Sequence, residues 1–390
     1  MSEIRVTNVI GENGNSPVNF TKGINMSGIC TAPAFIPSQG QLSHRNLIIN
    51  GGMTVKQRAD LTMTTTSTYS LDRFRAAVGS SFNWSSATIT QSTTSPDGFG
   101  KSLKVDIAST NTPTGSQNGL IQTKIEGQDL QQLAYGTSSA KQCTLSFYVR
   151  SNKTGTYCVQ VTDPANTKYV LFEYTINSAD TWERKSVTFS GNTANTINND
   201  NAIGFEINFH LATGSSDHVS ATSTWTTYSG GSFKSTSNQV NLFDNASNEW
   251  YLTGCQLEVG SVATPFEHRS YADELRRCQR YFFNITGDTG SRSGIPGYAN
   301  STSSLRAMVQ FPAPMRAIPS ISGSSTAMIL DTHDDSDSFN CSSLTAGGAP
   351  TTSNPTQMCI ETNTSGMTNG QGGQLEFRAA NGFINFDAEL

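Results

Sequence analysis

Histidine, the side chain that most often acts as a general base or metal ligand near neutral pH, is scarce in this sequence. The five histidines lie at positions 44, 210, 218, 268 and 333, with no metal-ligand spacing and no nucleophile motif beside them. His210 falls on the outward side of a predicted strand, which indicates a surface residue. His268 precedes a predicted helix, where we expect a local hydrogen bond. The histidines therefore predict no catalytic centre.

Acidic residues form one local cluster, the run from Asp331 to Asp337. Carboxylates at alternate positions can bind Ca²⁺, but this run lacks the central glycine and terminal glutamate of an EF-hand loop. A solvated turn is the favoured interpretation, a Ca²⁺-binding loop is the alternative, and no cofactor is predicted. A glycosidase needs two acids about 5–10 Å apart. The remaining acids are scattered over unrelated runs, so we predict that the protein is not an enzyme.

Aromatic side chains on loops can stack on sugar rings, and two are candidates for this role. Trp225 and Tyr228 lie in the Thr- and Ser-rich stretch STWTTYSGGSF, which we interpret as a loop. The alternative is that both pack against the edge of the fold. Trp84 and Trp182 fall in strand-like runs and are predicted to lie in the core.

Cysteine content and charge exclude several classes of protein. The seven cysteines include no C-x-x-C pair, so we predict small buried apolar residues rather than zinc or redox sites. A net charge of −5 without a basic stripe predicts no nucleic-acid binding. No apolar run approaches the roughly 20 residues of a membrane helix, and the first residues do not resemble a signal peptide. We expect a protein made in a cytosol, without membrane insertion.

Alternating apolar and polar residues dominate from about 46 to 266. The run GFEINFHL places Phe205, Ile207, Phe209 and Leu211 on one side of a strand, with polar residues between them. Similar alternation recurs in LSFYVR, YCVQV and WYLTGCQLEV, with turn residues between the runs. The fold class predicted is mainly β, an antiparallel jelly-roll sandwich.

One helix and a second β region follow. Ser270 precedes a segment in which Tyr271, Leu275, Cys278 and Phe282 recur at helical spacing. The predicted organisation is an N-terminal arm at 1–45, the sandwich at 46–268, a short connecting helix at 269–283 and a smaller C-terminal β domain at 284–390. The arm has too few large apolar residues for a core of its own, so we expect it to become ordered against a partner; a disordered tail is the alternative.

Several phrases resemble a family of phage virion proteins, the fibre and decoration proteins of tailed phages of marine bacteria and cyanobacteria. These phrases are NLIINGGMTVKQRA, SLDRF, TLSFYVR, TWERKSVTFSG and, most specifically, YLTGCQLEVGSVATPFEHRSYADELRRCQRYF at 251–282. The same region is similar to carbohydrate-binding jelly rolls. These often hold calcium through an acid just after a glycine pair, whereas Met53 and Thr54 follow the pair here.

The resemblance implies a structural virion protein, a tail fibre, head fibre or capsid-decoration subunit that acts as a homotrimer. Its partners would be capsid, tail or adaptor proteins, bound through the arm, and a host-surface glycan. The helix face of Tyr271, Leu275, Cys278 and Phe282 is the candidate oligomer seam. The alternatives are a free carbohydrate-binding module and a polysaccharide depolymerase.

Overall fold

The structure is a computed structural model, and its described residues are 43–63, 65–84, 87–228, 233–287, 294–324, 328–331, 338–347, 354–363, 365–377 and 382–390. All of them belong to one unit, Gln39–Leu390. The predicted arm lies outside these residues except for 43–45, and so does the acidic cluster except for the backbone of Asp331.

Thirteen strands form the sandwich predicted for 46–268. A six-stranded sheet has the order β1-β4-β5-β13-β7-β10, and a seven-stranded sheet has the order β12-β9-β8-β11-β6-β3-β2; all pairings are antiparallel. The strands are β1 (Leu61–Thr62), β2 (Thr68–Leu71), β3 (Phe74–Gly79), β4 (Thr88–Ser92), β5 (Ser102–Asp106), β6 (Asn118–Glu126), β7 (Cys143–Ser151), β8 (Gly155–Asp163), β9 (Lys168–Ile176), β10 (Glu183–Phe189), β11 (Ile203–Thr213), β12 (Thr222–Thr227) and β13 (Glu249–Val259). The predicted mainly β jelly-roll class is confirmed.

The sandwich core is filled by the apolar side chains of the alternating runs. Phe205, Phe209 and Trp250 are fully buried between the sheets, and the rings of Phe147 and Phe209 meet edge to face at 5.0 Å. Burying one such side chain contributes roughly 1.5–3 kcal/mol. Trp84 lies in this core as predicted. Trp182 does not: it precedes β10 and is half-exposed, with its ring against Tyr251 on the outside of the six-stranded sheet.

The connecting helix is shorter than predicted. Helix α1 spans Tyr271–Gln279, and the Ser270 hydroxyl accepts a hydrogen bond from the backbone N–H of Asp273, as expected for an N-cap. The helical spacing would extend to Phe282, but Phe282 opens a strand and pairs with Asp387. Strand pairing with a distant residue overrides the local helical pattern there. Among the described residues, four 3₁₀ segments complete the helical elements: Gly127–Leu133, Pro164–Asn166, Ser215–Asp217 and Leu242–Asp244.

The residues after the helix form two further antiparallel sheets around a second core. A three-stranded sheet has the order β14-β23-β17, and a seven-stranded sheet has the order β19-β18-β22-β15-β16-β21-β20. The strands are β14 (Phe282–Thr286), β15 (Ile295–Ser301), β16 (Ser304–Gln310), β17 (Ser320–Gly323), β18 (Met328–Asp331), β19 (Ser338–Asn340), β20 (Thr345–Ala346), β21 (Gln357–Asn363), β22 (Gly372–Phe377) and β23 (Phe383–Asp387). Ile360, Leu375, Ile384 and Phe386 are fully buried in their shared core.

The phrases that resemble the phage family meet where the sandwich packs on α1. The backbone N–H of Asn50 donates to Glu274 Oε1 of the helix at 2.5 Å, and the Asn50 amide bonds to the backbone of Val55 and Asp72. Asn46 bonds to the backbone of Cys255 in β13 at 2.9 Å. The Asn46 and Asn50 side chains already form hydrogen bonds within the chain. The phrases that resemble the phage family therefore include residues that hold the fold together.

The segment Asp387–Leu390, which we call the C-terminal clasp, forms ion pairs with residues of the sandwich. Arg73 is 1% exposed and pairs with Glu389, while its guanidinium lies 3.4 Å from the centroid of the Tyr281 ring. Arg58 pairs with Asp387 at 3.0 Å and with Glu389 at 3.2 Å. The clasp therefore joins the second core to the turn between β2 and β3 and to the segment before β1.

Six cysteines lie in the described part of the chain, and all are buried, as predicted from their apolar neighbours. Burial raises the pKa of the Cys255 and Cys278 thiols well above the ordinary value. Within the described ranges, no helix is long and apolar enough to cross a membrane.

Candidate functional site

Two rows of polar side chains cross the outer face of the seven-stranded sandwich sheet. The alternation that sends apolar side chains into the core sends polar ones to this face. The first row runs across β3, β6, β11 and β8, and the second runs across β6, β11, β8 and β9. The first row is Arg75, Gln122, Asn208 and Gln160, and the second is Lys124, Glu206, Thr162 and Tyr169. We call these eight residues the outer face; at the usual strand spacing the first row spans about 14 Å.

The amides of the first row form a chain of hydrogen bonds. Gln122 Nε2 donates to Asn208 Oδ1 at 2.7 Å, Asn208 Nδ2 donates to Gln160 Oε1 at 3.1 Å, and Gln160 donates to the backbone oxygen of Phe233. Each amide is thereby fixed in orientation and polarised by its neighbour. Gln122 Oε1 is buried and accepts no hydrogen bond from the described residues. The amides of the first row therefore form a buried layer of bonded side chains.

The outer face holds two cations, Lys124 of the second row and Arg75 of the first, near a single side-chain carboxylate, that of Glu206. Lys124 Nζ lies 3.6 Å from Glu206 Oε1, and the Thr162 hydroxyl donates to Glu206 Oε2 at 3.2 Å. Burial, and then the nearby positive charge of Arg75, lower the pKa of Lys124. Arg75 has no acidic partner among the described residues, and its buried Nε donates to none of them. The outer face thus has one uncompensated positive charge.

An aromatic pair borders the outer face at β9. The rings of Tyr228 and Phe233 stack at 4.0 Å with an interplanar angle of 7°, and Phe233 lies 5.8 Å from the Tyr169 ring. Cys158 and Leu171 complete the apolar support under this pair. Tyr228 and Phe233 remain half-exposed. The pair is a flat aromatic surface next to hydrogen-bonding side chains.

Of the two residues predicted for glycan contact, only Tyr228 lies at this border. Trp225 is in strand β12, not in the predicted loop, and its ring packs on Tyr135, Phe189 and Phe205 of the core. Its indole N–H donates to the Ser190 oxygen at 2.9 Å. Pairing of Thr226 with Tyr169 makes this polar stretch a strand despite its composition.

His210 is buried, which contradicts the prediction of a surface residue. It continues the outward side of β11, but it is 1% exposed and neither ring nitrogen has a hydrogen-bond partner among the described residues. Burial, with a smaller effect of Lys234, lowers the pKa of His210 to about 3. The segment after β11 folds back over this end of the face, and Gln239 bonds to the His210 backbone at 3.2 Å. The strand pattern alone does not reveal such a cover.

The candidate seam residues differ widely in exposure. Cys278 and Phe282 are buried within the chain, Leu275 is partly buried, and Tyr271 is 60% exposed. Their contact with a second chain stays a prediction. His268 packs its ring against Phe99 and Phe266. Among the described residues, no group of three or more His, Cys, Asp or Glu is placed to bind a metal.

Comparisons with known proteins give fold likenesses only. No protein-family model and no curated protein matches the chain. Among solved structures, a protein from Bacteroides thetaiotaomicron described as sugar-binding is similar, with 12% identity, a TM-score of 0.33, and coverage of 55% of this chain and 100% of that one. TmCBM61 in complex with β-1,4-galactotriose has 8% identity, a TM-score of 0.29, and coverage of 55% and 99%.

A phage protein is also similar to this chain, namely the enzymatically active domain of tailspike protein 4 of bacteriophage CBA120. It has 11% identity and a TM-score of 0.29, and the match covers 55% of this chain but 21% of that one. At these identities and TM-scores, the likenesses assign no ligand and no activity to this chain.

Proposed function

We propose that this chain is a non-catalytic structural protein of a tailed-phage particle, and that its outer face binds an acidic glycan of the host surface. The observation behind the glycan proposal is the outer face itself. Its partly exposed Arg75 and Glu206 lie over a buried layer of fixed amides, and a half-exposed aromatic pair borders them on the same side of the sheet.

Each part of the outer face suits one part of such a ligand. The Glu206 carboxylate is partly exposed and can accept hydrogen bonds from sugar hydroxyls. Arg75 can pair with a sugar carboxylate through charge-assisted hydrogen bonds. The half-exposed ring of Tyr228 offers an apolar face to a sugar ring. A neutral glycan would leave Arg75 without a partner, so the charge favours an acidic one.

The virion part of the proposal depends on the sequence resemblance. In this proposal residues 1–45 attach the protein to capsid, tail or adaptor proteins, and three copies assemble with Tyr271 and Leu275 at their contact. Deleting the arm should leave a folded protein that no longer enters particles. Electron microscopy of purified particles carrying a labelled protein would test this, and normal incorporation of the shortened protein would refute it.

Titration with polygalacturonate, an acidic polysaccharide, tests the glycan proposal. We expect Arg75→Ala and Tyr228→Ala each to weaken binding at least about tenfold, the equivalent of about 1.4 kcal/mol. Binding should also fall with ionic strength, because Arg75 is partly exposed and its charge is screened. Tyr298→Ala is the matched control, since Tyr298 is an exposed ring on β15, far along the chain from the outer face.

Three results would refute the proposal. The first is equal binding by the unaltered protein and its three variants. The second is that the unaltered protein binds neither polygalacturonate nor acidic host polysaccharide. The third is that binding weakens only in variants whose melting temperature is also lowered. Release of reducing sugar from the host polysaccharide would instead make the protein a depolymerase and contradict the non-catalytic assignment.

A further inference from the structure

A second ligand-sized space lies between the sandwich and the three-stranded sheet. This cleft has a volume of about 700 Å³, within the range of about 300–1,000 Å³ found for small-molecule sites. Arg58 and Tyr69 line it from the sandwich, and Asn284, Ser322, Phe383 and Asn385 line it from the sheet. It does not share a residue with the outer face.

The sheet wall of the cleft is polar because of strand alternation. Phe283 and Phe386 point into the second core and stack at 5.9 Å. Their neighbours Asn284 and Asn385 are paired across β14 and β23, and Asn385 pairs with Ser322 across β23 and β17. Two amides and a hydroxyl therefore lie side by side on the wall that faces the cleft.

The charged groups of the cleft are already paired with one another. Arg58 binds Asp387 at 3.0 Å and Glu389 at 3.2 Å, and Asp60 binds Lys56 at 2.5 Å. The groups of the cleft that remain available to recognise a ligand are therefore neutral. The side chains of Asn385 and Ser322 form no hydrogen bond within the described residues, and Arg58 Nε is buried there without an acceptor. An incoming ligand with hydroxyl groups would satisfy these donors and acceptors without bringing a charge.

An aromatic ring adds the apolar part of the wall. Phe383 is 37% exposed, which is unusual for a large apolar side chain. It lies one row beyond Asn385 on β23, paired with Thr286 of β14. From the sandwich side, the Arg58 guanidinium lies 3.6 Å from the centroid of the Phe282 ring of β14.

We propose that this cleft binds a neutral saccharide, with Phe383 against a sugar ring and with Asn385, Asn284 and Ser322 bonded to its hydroxyls. The pairing of all nearby charges argues against an anionic ligand. The proposal is independent of the acidic glycan assigned to the outer face, because the two sites differ in residues and in ligand charge.

Calorimetric titration with four neutral tetrasaccharides, those of cellulose, xylan, starch and mannan, tests the proposal. We expect at least one to bind, and we expect Phe383→Ala and Asn385→Ala each to weaken its binding at least about tenfold. Phe383→Tyr should retain binding because it keeps the ring. Tyr298→Ala is the control for loss of an exposed ring, and Arg75→Ala is the control for the outer face; both should leave binding of that tetrasaccharide unchanged.

Several outcomes would overturn the proposal. One is that none of the four neutral tetrasaccharides binds; another is that binding survives both Phe383→Ala and Asn385→Ala. Loss of binding in Arg75→Ala alone would show that the saccharide binds at the outer face instead. Binding of an uncharged peptide, but of none of the saccharides, would show that the cleft is a peptide site. Phe383 and Asn385 are partly exposed, so both variants should fold, and an unchanged melting temperature checks this.

Discussion

The C-terminal clasp gives a prediction about stability that can be worked out from its geometry. Glu389→Gln removes the carboxylate that neutralises Arg73, whose side chain is 1% exposed. Arg73 would keep the Lys124 backbone oxygen at 2.6 Å and the Tyr281 ring, but no anion. Breaking a buried pair by removing one partner typically costs about 3–5 kcal/mol, because a buried charge is left uncompensated.

The matched control is Asp387→Asn in the same clasp. The Asp387 side chain is 37% exposed and its partner Arg58 keeps Glu389. Exposed pairs contribute about 0–1 kcal/mol, so this variant should change little. The two substitutions are isosteric and lie two residues apart, and they differ mainly in burial.

Thermal unfolding followed by tryptophan fluorescence is the assay, since Trp84 and Trp250 are fully buried in the sandwich. With about 2–4 °C per kcal/mol for a domain of this size, Glu389→Gln should lower the melting temperature by about 6–20 °C. Asp387→Asn should lower it by no more than about 4 °C. Equal decreases in melting temperature for the two variants would show that burial of the Arg73–Glu389 pair does not determine how much the pair contributes to stability.

Two further predictions concern pH and packing. Burial lowers the folded-state pKa of His210 to about 3, so below about pH 6.5 the unfolded chain takes up a proton that the folded chain does not. The free energy of unfolding should therefore fall by about 1.4 kcal/mol per pH unit as the pH is lowered to about 3. Urea titrations of His210→Leu at several pH values should show that this slope is lost. A Cβ added at Gly51 would lie 2.0 Å from the Cys255 oxygen, whereas one at Gly52 would lie 3.6 Å from Phe266. Gly51→Ala should therefore cost about 1–3 kcal/mol and Gly52→Ala much less, as measured by the same titrations; equal losses would contradict the packing argument.

Strand alternation made most of the sandwich predictable from the sequence. The four apolar residues predicted to face inward on β11, Phe205, Ile207, Phe209 and Leu211, lie in the core, because a period of two leaves only one way to bury them. The polar positions between them were not predictable in the same way. Asn208 and His210 look solvent-facing by their period, yet both are buried, Asn208 between the Gln122 and Gln160 amides and His210 under a later segment. The local pattern gives the side of the sheet but not what packs on that side.

The candidate site was only partly accessible to sequence reasoning. Tyr228 was predicted from its type and its polar surroundings, whereas Trp225 in the same stretch points into the core because β12 pairs with β9. Arg75, Gln122 and Glu206 lie on three strands that are far apart in sequence, so only the strand order shows that they are neighbours. The cleft was beyond prediction, since it exists only where two separate sheets meet.

The clasp also has a consequence for the order of folding. Arg73 and Glu389 are 316 positions apart, and Arg58 and Glu389 are 331 apart. Contacts of such long range close the largest loops and form only after local structure has reduced the entropy of the intervening chain. We therefore expect the sandwich to collapse with Arg73 still unpaired, and later docking of Glu389, just after β23, to neutralise it. The barrier for that late step should protect the assembled protein kinetically, since unfolding has to begin by pulling a charged residue out of a buried pair.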